Sequence, residues 1–276
     1  MNILVTNDDG IDSVGLHVLA RAMLPHGDVT VVAPNTEYSG AGSSVGALHL
    51  ARPDVHKAHV EGIDEAWSIT GPPALCVMIA RLGAFDKTFD LVVSGINPGA
   101  NVGRAVYMSG TIGATLSGRM GGISGVAVSQ ATEDWGIMGQ GYEEMLVHQR
   151  WHSAAEVAAA AVGSLVADMP QEATVLNINL PNSEVADLKG VLRTFVGAAP
   201  PRKAAGVTLR PQPGHEGAFH VDMTWGEPSD VELDPNSDVG AVANGYVSIT
   251  ALSHLRETDE AQTDTAVAGM EAFLGR

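Results

Sequence analysis

The chain has 276 residues, 45% of them hydrophobic, which is enough for one large domain or two small ones with a substantial core. Because 15 Lys and Arg residues face 32 Asp and Glu residues, the formal net charge is −17, and we expect no duplex nucleic acid as a partner. The single cysteine, Cys76, excludes an intrachain disulfide and a cysteine-based zinc cluster.

Short apolar runs alternate with segments of helical period up to residue 181. Predicted strands cover residues 3–5, 29–33, 90–93, 125–128 and 174–180, and predicted helices cover residues 16–23, 72–82, 110–120 and 153–168. Strands that are apolar on both faces and separated by helices indicate a parallel sheet covered on both sides. The sequence therefore predicts an α/β fold with a doubly wound, mostly parallel sheet.

The pattern changes after Pro181. Predicted strands at residues 191–196, 219–225 and 246–252 are joined by polar stretches rich in Pro and Gly, and a final helix is predicted over residues 260–274. These strands are better interpreted as hairpins or extensions than as further βαβ units. We therefore divide the chain into a core, residues 1–181, and a C-terminal extension, residues 182–276, within the same globular unit.

The sequence gives no sign of a targeting or membrane segment. The first residues carry no basic region, and their apolar run is too short for a signal peptide. The alanine-rich stretch over residues 154–169 is interrupted by Glu156 and Asp168, so it does not resemble a membrane span. We expect a cytoplasmic protein that does not bind membranes.

Oxygen-bearing side chains follow three of the predicted strands. The segment Asn7-Asp8-Asp9-Gly10 comes after the first strand, Ser39 lies in the loop after the second, and Asn97 follows the strand at residues 90–93. In an open parallel sheet, ligands bind beyond the carboxyl ends of the strands. Asp8 and Asp9 could simply form a turn and a helix cap, but two adjacent carboxylates repel each other unless a cation lies between them. An all-oxygen set favours Mg²⁺ or Mn²⁺.

A second group of polar residues precedes the helix at residues 110–120. The hydroxyls of Ser109 and Thr111 flank Gly110, and free N–H groups at a helix N-terminus suit a phosphate. An ordinary serine cap followed by packing glycines is the alternative interpretation. The phosphate hypothesis gains weight from the metal ligands predicted nearby.

Other motifs compete with this interpretation. Gly42-Ser43-Ser44-Val45-Gly46 matches the nucleophile elbow of serine hydrolases, but no predicted strand leads into it, and Ala47-Leu48-His49-Leu50 predicts a strand where the elbow needs a helix. A phosphate-binding Gly-Lys-Ser/Thr loop is missing, and Gly40-Ala41-Gly42 lacks the third glycine of a dinucleotide fingerprint. A serine hydrolase stays an alternative function. Cys76 lies on an apolar helical face, where a packing role is expected.

Taken together, these motifs closely resemble the SurE family of survival-protein nucleotidases. The resemblance runs in order over nearly the whole chain. It rests on Asn7-Asp8-Asp9-Gly10, Ser39-Gly40-Ala41, Val93-Ser94-Gly95-Ile96-Asn97, Asn101-Val102-Gly103, Tyr107-x-Ser109-Gly110-Thr111 and Gly245-Tyr246-Val247-Ser248-Ile249-Thr250.

The resemblance implies a divalent-metal-dependent phosphatase of nucleoside 5′- and often 3′-monophosphates, with one Mg²⁺ or Mn²⁺ ion. It implies a Rossmann-like core and a C-terminal extension that exchanges between subunits, hence a homodimer or homotetramer. The implied metal ligands are Asp8, Asp9, Ser39 and Asn97, and the implied phosphate-binding residues are Asn101, Ser109, Gly110 and Thr111. Where the family usually carries basic residues, this chain has Asn35-Thr36-Glu37-Tyr38.

For the mechanism, we expect Asp8 and Asp9 to be the catalytic residues, with one of them, preferably Asp9, orienting or deprotonating the attacking water. Nucleophilic attack by Asp8 through an aspartyl phosphate is the chemical rival, although the D-x-D spacing typical of such enzymes is missing. A non-catalytic, metal-dependent nucleotide-binding module is a further alternative. Because the metal and phosphate residues lie on different loops, we expect substitutions in the two sets to act separately.

Overall fold

The computed structural model of the chain describes residues 1–50, 52–135, 143, 146–198, 204–225, 232–253 and 261–275, without the side chains of residues 134, 204, 205, 225 and 261. The structure describes the segment 131–150 only in part, because residues 136–142, 144 and 145 lie outside these ranges. The first residue of the predicted final helix, residue 260, also lies outside them. None of the helices in the described ranges is long and apolar enough to cross a membrane.

A mostly parallel sheet organises the chain. In chain order, its strands are β1 (Asn2–Thr6), β2 (Asp28–Pro34), β3 (Val55–Lys57), β4 (Glu65–Ile69), β5 (Leu91–Pro98), β6 (Ser124–Gln130), β7 (Val175–Leu180), β8 (Val191–Arg193) and β11 (Val247–Leu252). Their spatial order is β3-β4-β2-β1-β5-β6-β7-β11-β8. The six strands from β4 to β7 are parallel in the order typical of a Rossmann fold, so the predicted fold class is confirmed.

Helices cover both faces of this sheet. The helices of the described residues are α1 (Val14–Met23), α2 (Pro73–Arg81), α3 (Gly110–Met120), α4 (Trp151–Ala167), α5 (Asp238–Ala243) and α6 (Ala261–Phe273). Leu16 and Met23 of α1 and Ala154 of α4 are buried in one apolar layer, while Cys76 of α2 and Ala114 of α3 belong to a second layer. Two apolar layers around one sheet give the doubly wound architecture.

The C-terminal part of the chain returns to the same sheet. Strand β11 pairs antiparallel with β7, and β8 then pairs parallel with β11. Strands β9 (Ala204–Pro211) and β10 (Phe219–Trp225) form a separate antiparallel hairpin. Its exposed side chains include Val207, Leu209, Phe219, Val221 and Met223. The predicted C-terminal hairpin is thus present, with an apolar surface that the described residues leave uncovered.

The structure differs from the sequence-based assignment in two ways. Strands β3, β4 and β9 and the short helix α5 were not predicted, because each is short or lies among polar and Gly/Pro-rich residues. Conversely, the strand predicted at Ala47-Leu48-His49-Leu50 is wrong: residues 48–50 form a turn, and all four residues are exposed. Alternating polarity predicts a strand only where one face has a layer to pack against.

Candidate active site

Three of the predicted metal ligands lie at the ends of β1 and β5, which are adjacent strands at the centre of the sheet. Strand β1 lies between β2 and β5, with Thr6 opposite Ser94. Helices from opposite faces follow these two strands, which makes this pair the topological switch point of the fold. Asp8 and Asp9 extend beyond β1, and Asn97 lies near the end of β5, so the chain folds these residues to the same edge.

Asp8 is a buried carboxylate that faces the start of α3. Its side chain is 3% exposed, and Thr111 donates its hydroxyl to Oδ1 over 2.6 Å. Burial raises the pKa of Asp8 above its usual range, while the Thr111 hydroxyl and the backbone N–H groups of Gly110 and Thr111 oppose that shift. The helix N-terminus thus supplies part of the positive potential that a buried carboxylate needs.

A serine and a glycine bring α3 this close to Asp8. Ser109 is the N-cap, and its hydroxyl accepts the N–H of Ile112 over 3.1 Å. A Cβ atom on Gly110 would lie 2.8 Å from both Cβ and Oδ2 of Asp8, so no larger residue fits here without a shift. The absence of a side chain at position 110 therefore lets the helix N-terminus approach the carboxylate.

Asn101 lies in a buried polar network behind Thr111. Its Nδ2 donates to Thr111 Oγ1 over 3.3 Å and to Ser129 Oγ over 2.9 Å. The backbone N–H of Asn101 donates to Asn179 Oδ1, and its carbonyl accepts from Nδ2 of Asn177 and of Asn179. The sequence analysis missed Ser129, Asn177 and Asn179. Two asparagines at alternate positions of an otherwise apolar strand were the available signal.

Thr111 contacts members of both predicted sets, the metal ligands and the phosphate-binding residues. It was assigned to the phosphate, yet its hydroxyl bonds directly to Asp8 and receives the amide of Asn101. The predicted metal and phosphate sets are therefore joined by hydrogen bonds at Thr111, whereas the expectation that substitutions in the two sets act separately stays a prediction. A contact between residues 103 positions apart gives no local sequence signal.

The two remaining predicted metal ligands lie on different elements: Ser39 is in the loop after β2, and Asn97 is in β5. The loop carrying Ser39 is tied to the site because the Tyr38 N–H donates to the Asp8 carbonyl over 2.7 Å. Ser39 itself is exposed, and its hydroxyl donates to Glu37 Oε1 over 2.8 Å. Asn97 is partly buried, and its Nδ2 donates to the Gly99 carbonyl over 2.6 Å. Both side chains act as donors in these bonds, so the hydroxyl oxygen of Ser39 and the amide oxygen of Asn97 can still bind a cation.

The donor set fits a hard divalent cation. Two adjacent carboxylates, one of them buried, stand beside amide and hydroxyl oxygens, and such a set suits Mg²⁺ or Mn²⁺. Neighbouring Asn7 adds a buried Oδ1 that has no hydrogen-bond partner among the described residues. Within those residues, no group of three His, Cys, Asp or Glu side chains gathers, so a metal here would need the Asn and Ser oxygens as well.

The nucleophile elbow does not form. The segment Gly42-Ser43-Ser44-Val45-Gly46 is a loop with no strand leading in and no helix following, and Ser43 and Ser44 are exposed. The Gly42 N–H donates to the Met108 carbonyl, which anchors this loop beside the start of α3. The serine-hydrolase alternative therefore lacks its structural context. Cys76 is fully buried in an apolar layer, and this burial raises the pKa of its thiol, so it has the packing role expected of it.

Comparisons with known proteins agree over nearly the whole chain. The model of the family described as Survival protein SurE matches residues 3–202. The chain is 38% identical over 255 residues to the 5′-nucleotidase SurE of Acinetobacter baylyi, which covers 91% of this chain and 93% of that protein. It is 36% identical over the same length to the 5′-nucleotidase SurE of Acinetobacter baumannii. The crystal structure of the SurE protein from Aquifex aeolicus superposes with a TM-score of 0.73 at 28% identity and covers 99% of both chains.

Proposed function

The chain belongs to the SurE family, and from this membership we propose that it is a metal-dependent 5′-nucleotidase that releases phosphate from nucleoside monophosphates. The observation that carries the proposal is the buried carboxylate of Asp8, which faces the N-terminus of α3 with Asp9 beside it. An enzyme of this type needs positive potential for a phosphate and a group that activates water, and both would lie at this edge of the sheet.

Asp8, Asp9, Ser39 and Asn97 would hold one divalent ion, Mg²⁺ or Mn²⁺. When bound, such an ion supplies charge neutralisation for the phosphate oxygens as the P–O bond breaks. Asp9 accepts a proton from the water that attacks phosphorus, and the 5′-oxygen of the leaving nucleoside takes a proton from solvent water. Asp8 stays oriented by its hydrogen bond from Thr111.

The phosphate would lie against the start of α3. Ser109 keeps its hydroxyl proton available, because its oxygen serves as the acceptor in the cap. This hydroxyl would donate to a phosphate oxygen at the positive end of the helix, beside the N–H groups of Gly110 and Thr111 that the Asp8 carboxylate shares. The amide of Asn101 is already engaged by Thr111 and Ser129, so we assign Asn101 the role of holding Thr111 in place.

A substrate panel tests the proposal. Purified protein is incubated with nucleoside 5′- and 3′-monophosphates in the presence of Mg²⁺, Mn²⁺ or excess chelator, and released phosphate is measured. We expect 5′-nucleotide hydrolysis with a divalent ion, 3′-nucleotide hydrolysis at a comparable or lower rate, and neither in chelator. Nucleotide binding without phosphate release would favour the non-catalytic binding module instead.

Assembly of at least two copies is part of the proposal. The hairpin of β9 and β10 exposes a row of apolar side chains, and Phe273 near the end of α6 is 90% exposed. Such surfaces are usually covered by a partner, and a second copy would form a homodimer or homotetramer. Light scattering at micromolar concentration should give at least twice the monomer mass, and deletion of residues 260–276 should weaken assembly before it affects the metal site. A monomer in the intact protein would contradict this.

We also propose that the protein works in the cytoplasm. Its partner there would be the small nucleotide, and it would not bind membranes. The only cysteine in the sequence, Cys76, is buried within α2, so the fold uses no disulfide and needs no oxidising environment. Fractionation of the source cells checks this location.

A further inference from the structure

A cleft of about 400 Å³ opens beside Asp9. Its volume lies in the range of small-molecule sites, about 300 to 1,000 Å³. Apolar side chains form most of its walls, including Ile96 from β5, Leu146 and Trp151, while Asp12 adds an exposed carboxylate. The cleft therefore joins a proposed metal ligand to a mostly apolar cavity.

Trp151 provides the one aromatic wall among the residues that line this cleft. It is the first residue of α4, and it is only partly buried although it packs against the core. The indole packs on Gly15 in the first turn of α1, where a Cβ atom would lie 2.9 Å from Cζ3 of the ring and would collide with the Ile96 carbonyl. The glycine thus allows the indole to pack closely between α1 and β5, with part of its surface left open.

The charges of the cleft limit what it can bind. Asp9 and Asp12 are its ionisable lining residues, and the described lining includes no Lys or Arg. A second phosphate group would be repelled there, whereas a neutral group with a flat apolar face and hydrogen-bond donors would be accepted. A nucleoside has both features: its base can stack on an aromatic ring, and its ribose hydroxyls can donate to a carboxylate.

We propose that this cleft is the nucleoside subsite, with the base against the Trp151 indole and a ribose hydroxyl donating to Asp12. The assignment rests on the proposed nucleotidase function and adds the residues that would select a nucleoside monophosphate over a sugar phosphate that lacks a base. Trp151 then determines specificity, and the chemistry stays with Asp8 and Asp9.

Selectivity between two substrates tests the role of Trp151. The value of kcat/KM is measured for adenosine 5′-monophosphate and for ribose 5-phosphate with Mn²⁺, and their ratio is compared among variants. Trp151→Leu should lower this ratio at least about tenfold, the scale of one lost base-stacking contact, and Trp151→Phe should keep most of it. The control is Trp67→Leu: Trp67 stacks on Phe85 and does not line the cleft, so the ratio should not change.

A binding measurement separates this proposal from the proposed function. Adenosine, which carries no phosphate, should bind the wild-type protein in calorimetry and bind Trp151→Leu at least about tenfold more weakly. Equal ratios and equal adenosine affinities in Trp151→Leu and wild type would overturn the subsite. Wild-type protein that hydrolyses neither substrate would overturn the nucleotidase function itself. If Trp151→Leu does not fold, competitive inhibition of wild-type ribose 5-phosphate hydrolysis by adenosine decides: inhibition supports the subsite, and its absence overturns it.

Discussion

The hydroxyl of Thr111 connects the two halves of the candidate site. It donates to Asp8 over 2.6 Å and accepts from Asn101 over 3.3 Å, so a single side chain orients the carboxylate and joins it to the polar network on β6 and β7. Ser109 differs although it is only two residues away, because its hydroxyl oxygen caps α3 at Ile112. Two hydroxyls of one motif thus have different partners, and the structure predicts different effects for their loss.

Replacing Thr111 should disturb the metal site directly. Thr111→Val removes the hydrogen bond to a charged partner, a loss of roughly 1.5 to 3 kcal/mol, and should weaken Mn²⁺ binding by about tenfold or more. Thr111→Ser keeps the hydroxyl and should retain affinity close to wild type. Ser109→Ala should change Mn²⁺ affinity much less. Titration calorimetry of the three variants checks this, and wild-type affinity in Thr111→Val would contradict the role given to Thr111.

Gly110 is the position where the smallest change should have a large effect. A Cβ atom in Gly110→Ala would lie 2.8 Å from Asp8, so either α3 or the carboxylate must move. We expect a loss of activity of at least about tenfold together with a lower Tm, since overpacking costs about 1 to 3 kcal/mol. Gly269→Ala in α6 is the matched control, because nothing lies within 4 Å of its Cβ position. Unchanged activity in Gly110→Ala would show that the close approach is not needed.

At the scale of elements, the buried strands were predictable and the strands at the sheet edge were not. Strand β2 is buried along nearly its whole length, so its continuous apolar run is its signal. Strand β4 has the mixed sequence Glu-Ala-Trp-Ser-Ile, in which only Ala66 and Ile69 are buried, and β3 is exposed throughout. For such strands the pairing partner determines the structure, and the partner is not visible in the local sequence.

An ion-pair cluster ties this edge of the sheet together and gives a pH-dependent contribution. Lys87 lies 2.8 Å from Glu65 on β4 and 3.2 Å from Asp28 on β2. Burial alone would raise the pKa of Glu65, but hydrogen bonds from Lys87 and Trp67 outweigh it and hold this pKa below its usual value of 4.5. The hydrogen bond to Glu65 raises the pKa of Lys87 above its usual 10.5.

The directions of these two pKa shifts determine the pH range in which the Lys87–Glu65 pair stabilises the fold. The contribution of the pair is full between about pH 4.5 and 10.5, falls as acid protonates Glu65 through its lowered pKa, and falls again as base deprotonates Lys87 through its raised pKa. Since both side chains are more than a quarter exposed, the coupling free energy should be at most about 1 kcal/mol at pH 7. A double-mutant cycle with Lys87→Met and Glu65→Gln, measured by urea unfolding at several pH values, checks this. A coupling energy that does not fall at acidic pH would contradict it.

At the scale of the whole molecule, Asp238 joins the C-terminal region to the site. The residue is fully buried at the start of α5, and its Oδ2 accepts the N–H of Gly103, two residues beyond Asn101, over 2.9 Å. Its Oδ1 accepts the N–H groups of Gly197 and Val239 over 2.8 Å each. In the sequence, Asp238 lies in the polar stretch that joins the predicted strands at residues 219–225 and 246–252. Contacts that span 135 residues depend on the complete topology and could not be predicted locally.

Replacing Asp238 should destabilise the fold. Asparagine at this position offers one acceptor oxygen and sets an NH₂ group against a backbone N–H, so Asp238→Asn should lower the free energy of unfolding by about 2 kcal/mol or more. Asp234→Asn is the control, since Asp234 is exposed and accepts from Asn236 at the surface; it should cost less than about 0.5 kcal/mol. Chemical denaturation of both variants measures these differences, and equal stabilities would remove Asp238 from this role.

The central claim is that Asp8, held between the end of β1 and the N-terminus of α3, carries a metal-dependent nucleotidase reaction. The most direct test is phosphate release from a nucleoside 5′-monophosphate, measured side by side for the wild type and Asp8→Asn, with Mn²⁺ and with excess chelator. We predict release by the wild type with Mn²⁺, none in chelator, and a kcat at least about 100-fold lower in Asp8→Asn, the scale of losing one preorganised charged group. Full activity in chelator, or equal activity of Asp8→Asn and wild type, would contradict the account.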